Sequence, residues 1–172
     1  MYLLDTSVIS HLVNPYCAGH EKSKAFMEQA LANSQKCQLC VITLAEMELG
    51  FHLAKLKEPP LDPAKLEEVK RRVNEARNLQ PLEITSHVAS EHALLKALWA
   101  KKIAPNRLNN GKLKGVPPEK WYENWAASEL RITENDLWIA AVAIAHKLRL
   151  ITADRDFTGL KSARDALVFT RL

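Results

Sequence analysis

Four carboxylates stand where short apolar runs meet helices: Asp5, Glu46, Asp136 and Asp154. Asp5 closes the run Met1-Tyr2-Leu3-Leu4 and is followed at once by two hydroxyls, Thr6 and Ser7. Glu46 comes just after Val41-Ile42, Asp136 opens a strongly apolar helical stretch, and Asp154 follows Leu150-Ile151-Thr152. Acids in one crevice repel one another and raise one another's pKa unless a cation joins them. Oxygen-only ligands suit Mg2+ or Mn2+ better than zinc. The chemistry such a set can do is metal-dependent hydrolysis, with Asp5 as first ligand. Each acid also has a local reading. Thr43-x-x-Glu46 and Thr133-x-x-Asp136 match the capping box, Asp5 can cap the helix at Thr6, and Asp154 can be a turn residue.

The elements that must position these acids alternate. Strands are expected at Met1–Leu4, Gln38–Ile42, Pro81–Ile84, Leu148–Thr152 and Leu167–Thr170. Helices are expected over Thr6–Val13, Glu21–Ala32, Thr43–Leu56, from an Asp62 cap to about Asn78, Ser86–Lys102 and Thr133–Lys147. Alternation of this kind indicates a parallel sheet with helices on both faces and right-handed crossovers. In that topology all four acids fall at the edge where strands end, which is where open α/β sheets bind ligands.

The chain has 172 residues, 47% of them hydrophobic, enough to bury the core of one domain. No run is long enough for a membrane span, so no membrane partner is expected. The N-terminus lacks a basic region before an apolar one, which makes the cytoplasm the expected compartment. The three cysteines suit reduced thiols, and Cys40 reads as a small core residue more readily than as half of a Cys37-x-x-Cys40 zinc pair. Five glycines offer no G-x-G-x-x-G and no P-loop. A phosphatase of the haloacid dehalogenase type needs a second acid two residues after the first, and Ser7 stands there.

The chain resembles the PIN-domain ribonucleases, and among them the VapC-type toxins of bacterial toxin–antitoxin pairs. The likeness is carried by Leu3-Leu4-Asp5-Thr6-Ser7, by Ile42 to Gly50, by Asn135-Asp136-Leu137-Trp138-Ile139-Ala140-Ala141 and by Leu150 to Phe157. It implies a Rossmann-like, five-stranded parallel sheet over residues 1–172 and Mg2+-dependent endonucleolytic cleavage of RNA. It carries the metal-binding acids over to Asp5, Glu46, Asp136 and Asp154, with Asp156 as rival for the last. The hydroxyl after the first acid is Thr6. It also implies a small antitoxin partner and a homodimer. The competing reading is an RNA-binding or antitoxin-bound repressor-complex component with little cleavage.

One stretch departs from the family pattern, a basic insertion at about 104–131 that reads as a long loop and then a short helix with Trp121 and Trp125. From Lys101 to Lys120 there are six basic residues (101, 102, 107, 112, 114 and 120) against one acid, Glu119. That excess exceeds the net charge of the whole chain, which is +4. Phosphate contacts from these lysines stand beside a plain solvated loop as readings, and the tryptophans read as buried at helical spacing.

Overall fold

A computed structural model of the chain describes residues 1–121 and 132–172. The expected short helix through Trp125 lies outside them. The chain divides into two compact units: Met1–Glu83 with Ile151–Ala153 and Leu172, and Ile84–Leu150 with Asp154–Arg171. Among the described residues four strands are formed, β1 (Tyr2–Leu4), β2 (Cys37–Gln38), β3 (Arg149–Thr152) and β4 (Phe169–Arg171). Their order is β2-β1-β3-β4 in a parallel sheet.

In the first unit, β1 pairs with β2 in parallel, Tyr2 opposite Cys37 and Leu3 opposite Gln38. The end of β3 joins β1 through the Asp5 N–H, which donates to the Ile151 carbonyl at 2.9 Å. The helices of this unit are α1 (Thr6–Val13), α2 (His20–Ala32), α3 (Val41–Lys55) and α4 (Pro63–Asn78). Leu4, Val8, Ile9 and Ile151 form a buried cluster, with Tyr2, Phe26, Met47 and Leu172 packed round it. The Tyr2 and Phe26 rings meet edge to face, 5.2 Å between centroids. Full burial of an aliphatic side chain stabilises by about 1.5–3 kcal/mol, so this cluster holds α1 down on the strand that carries Asp5. Asp62 and Pro63 start α4 as expected: the Asp62 carboxylate accepts from the Ala64 and Lys65 N–H groups.

The sheet has four strands where five were expected. The fifth survives as one parallel bridge between Cys40 and Leu82. The Val41 N–H donates to the Leu82 carbonyl, and the Leu82 N–H to the Leu39 carbonyl. Two causes are visible. Val41 and Ile42, expected in a strand, are instead the first residues of α3, so the neighbouring strand runs out. Pro81 has no N–H to extend a ladder.

In the second unit, α5 (Ser86–Ile103) packs against α7 (Glu134–Ala145). Helix α7 buries Leu137 and every residue from Ile139 to Ile144, while α5 buries Val88, Leu95, Trp99 and Ile103. The His92 ring stacks on Trp138, 3.6 Å between centroids and 6° between planes. The cap of α5 is Thr85, one residue earlier than the expected Ser86, and its hydroxyl accepts from the Val88 N–H. Helix α7 ends with Lys147 at φ 53, and the Leu148 N–H reaches back to the Ala143 carbonyl. This Schellman turn delivers the chain directly to β3. Helix α8 (Phe157–Ala163) follows β3.

The expected loop from Ala104 contains a short helix, α6 (Pro105–Asn109), because Pro105 at the first helical position presets φ. The chain then turns through Gly111 and Gly115, both at positive φ. Trp121 is 4% exposed, and its ring N–H donates to the Val116 carbonyl at 2.7 Å. Among the described residues no helix is long and apolar enough to cross a membrane.

Candidate active site

Asp5 sits at the end of β1 as the N-cap of α1 and is 4% exposed. Three donors hold its carboxylate. The Thr6 N–H donates to Oδ1 at 2.7 Å; the Ser7 and Thr152 hydroxyls both donate to Oδ2, at 2.6 and 2.7 Å. The Ser7 Oγ also accepts from the Ala153 N–H at 3.0 Å. The capping reading of Asp5 is therefore realised, and it is one part of a larger arrangement.

Thr6 points its hydroxyl the other way and donates to Glu46 Oε2. Glu46 lies in α3, whose N-cap is Cys40. Thr43 is thus buried inside the helix and caps nothing, so the expected Thr43–Glu46 capping box does not form. That removes the local role for Glu46. Its carboxylate is turned toward the Asp5 segment through Thr6.

Burial, the largest effect, pushes the Asp5 carboxyl above its ordinary value of 3.8. The Glu46 charge pushes in the same direction, while the hydrogen bonds from Ser7, Thr152 and Thr6 oppose both. Burial also raises the Cys40 thiol, which keeps it protonated and inert as the core residue the sequence suggests. Beside Thr6 and Glu46 opens a cleft of about 280 Å³, lined also by Val13, Met47, Val69, Arg72 and Val73.

The other two acids belong to the second unit. Asp136 is the third residue of α7, and here the capping box is real. Its Oδ2 accepts from the Thr133 N–H at 2.7 Å and the Thr133 hydroxyl at 2.8 Å. Asp154 follows β3 in the turn before α8, and its Oδ1 accepts from the Asp156 N–H at 2.8 Å. Asp156 itself is buried at the start of α8. The two residues that sequence reasoning left without a role are Ser7 and Thr152. Thr152 is 147 positions from Asp5, and the adjacency of β1 and β3 was the signal that could have found it.

The PIN domain family model matches residues 2–162. The chain belongs to the PIN domain family. Solved structures agree. FitAcB from Neisseria gonorrhoeae matches with a TM-score of 0.64 at 25% identity, over 99% of this chain and 97% of that one. VapBC2 from Rickettsia felis, bound to a promoter DNA fragment, gives 0.63 at 17% over 99% and 98%. VapBC-5 from Mycobacterium tuberculosis, of a toxin–antitoxin family, gives 0.57 at 22% over 99% and 97%. The last two establish the fold alone. No curated protein matches the chain. PIN domains are typically nucleases.

Among the described residues, no three His, Cys, Asp or Glu side chains gather into a metal-holding group. The pair that this PIN domain does gather, Asp5 and Glu46, fits a hard divalent cation in its chemistry. Every donor is oxygen, and the two effects that raise the Asp5 carboxyl, burial and the Glu46 charge, are both relieved by a cation.

Proposed function

We propose that this chain is a divalent-cation-dependent endoribonuclease, the toxin of a toxin–antitoxin pair of the VapC type. The observation that carries the reading is Asp5. A PIN domain keeps a buried carboxylate under three donors and beside a second carboxylate, with no cationic side chain among the described partners of its charge. Such an arrangement is costly for folding and useful for holding a metal ion.

Asp5 and Glu46 would hold the Mg2+ or Mn2+, and by the family likeness Asp136 and Asp154 would be the further metal-binding acids, with Asp156 as the alternative to Asp154. A divalent cation supplies Lewis-acid stabilisation of phosphate charge and a lower pKa for a coordinated water. The chain's own residues prepare that chemistry. Ser7 and Thr152 hold Asp5 Oδ2 in one orientation, and Thr6 does the same for Glu46. The hydroxyls stabilise the ionised form of Asp5 against its burial. No histidine is needed as base.

A small antitoxin is the expected inhibitor, on the strength of the toxin–antitoxin complexes among the similar structures. The apolar-walled cleft beside Thr6 and Glu46 suits a peptide side chain of such a partner. A homodimer in the cytoplasm completes the reading. The test is cleavage of single-stranded RNA with Mg2+, with Mn2+ and with chelator, by the wild-type chain and Asp5→Asn. Metal-dependent cleavage lost in the variant supports the assignment; RNA cut equally by Asp5→Asn sinks it.

A further inference from the structure

We propose that the segment Lys101–Lys120 is a separate binding surface for the phosphodiester backbone of single-stranded RNA. The identity of the polymer rests on the ribonuclease reading; the surface itself rests on charge and order within the second unit. Lys101, Lys112, Lys114 and Lys120 are all exposed, and among the described residues none has a carboxylate partner. Helix α4 shows the opposite habit. There Lys70 pairs with Glu67, Arg71 with Glu75, Arg72 with Glu68 and Arg77 with Glu48. A solubilising surface is satisfied by such mixed charge. Lys101, Lys112, Lys114 and Lys120, in a stretch whose basic excess exceeds the chain's net +4, concentrate positive potential in one place.

The segment is also held in shape. Arg107 Nη1 donates to the Lys120 carbonyl at 2.7 Å, and Lys102 is tied to Ser162 and the Gly159 carbonyl of α8. Pro118 within it and Trp121 just after it are buried. The lysines therefore project from an ordered base, which lowers the entropy cost of binding. Asn106, Arg107, Asn110 and Lys112 line a cavity of about 510 Å³, inside the range that takes a nucleotide-sized group. The Asn110 amide there stands beside Lys112, whose charge meets phosphate. Trp121, buried with its N–H engaged, is no stacking platform; the grip is electrostatic.

The probe is a labelled single-stranded RNA oligonucleotide, titrated with the full chain in chelator over a range of salt. Each single-strand phosphate contact contributes about −0.7 to the slope of log K against log salt. In Lys112→Gln/Lys114→Gln/Lys120→Gln the slope should become shallower by about 2, with affinity at low salt down about tenfold or more. The control Lys65→Gln/Lys70→Gln/Arg71→Gln removes equal charge from α4 and should leave the slope unchanged. Equal slopes for the two variants overturn the proposal, as does a lysine-dependent slope with duplex DNA and not with RNA. Cleavage by the wild-type chain with RNA binding untouched in the lysine variant overturns the surface and spares the nuclease. Lysine-dependent binding without any metal-dependent cleavage keeps the surface and overturns the nuclease.

Discussion

Helices α1 and α7 begin alike and differ in how their first acid is held. Each starts with an acid and a hydroxyl in hydrogen-bond contact, Asp5 with Ser7 in one and Asp136 with Thr133 in the other. At α7 the cap residue Thr133 is exposed, and the two residues satisfy each other's backbone in a reciprocal box. That box closes a helix end and stabilises by about 1 kcal/mol. At α1 the acid is buried, and its second oxygen is held by a residue from another strand, Thr152. A cap needs neither burial nor Thr152. The surplus at α1, and the second carboxylate reached through Thr6, are what support the proposal that Asp5 is a functional acid as well as a cap.

The comparison breaks most sharply at Asp5. Asp5→Asn should lower RNA cleavage by more than about 100-fold, beyond the 10–100-fold that outer partners of a metal site cost, with circular dichroism unchanged. Next comes Thr152→Val, which keeps the shape and removes the donor to Oδ2. Its apparent Mg2+ affinity, read from the metal dependence of cleavage, should fall about 10–100-fold; full affinity would reduce Thr152 to packing.

A third test uses pH. Because the Asp5 pKa is raised on folding, its contribution is fully present below the unfolded value, near 3.8, and is lost as pH rises through the raised one. Metal-free wild type should therefore lose stability relative to Asp5→Asn as pH climbs from about 4 toward neutrality, in urea titrations at a series of pH values. Added Mg2+ should restore stability to wild type at neutral pH and leave Asp5→Asn where it was. A difference between the two proteins that does not change with pH would refute the burial argument.

The smallest effect belongs to α7. Thr133→Ala should cost about 1 kcal/mol, a melting shift of about 2–4 °C, with cleavage falling less than in Thr152→Val, because the backbone N–H at position 133 still holds Asp136 Oδ2. A loss of cleavage as large as that of Asp5→Asn would erase the distinction between the two helix starts.

His92 gives the second unit its own titrating group. Burial lowers its pKa, with Lys96 adding to the shift and Glu134 opposing it. Its Nε2 lies 3.0 Å from Glu134 Oε1, off the line a ring N–H needs, while Lys96 bonds both Glu134 oxygens. The sign is opposite to that of Asp5: stability from this group is lost as pH falls below 6.5.

Much of the fold was legible in the pattern. Helices α4 and α7 start where Asp62-Pro63 and Thr133 signal them, because caps and apolar periodicity are local chemistry. Val41-Ile42 misled, since a short apolar run reads equally as strand or helix start, and only the bridge of Cys40 to Leu82 shows where pairing stops. The same error produced the expected capping box at Thr43. The helix inside the insertion was missed because Gly and Asn outweighed the single Pro105 signal.

By itself the sequence determined that the chain is α/β, that its acids stand at strand ends and helix starts, and that Lys101–Lys120 is strongly basic. Those are matters of residue type and near-neighbour spacing. Only tertiary structure decided that Asp5 is buried under Ser7 and Thr152, and that Glu46 caps nothing and meets Thr6. Burial and long-range hydrogen bonds join residues up to 147 positions apart, and no local pattern encodes them.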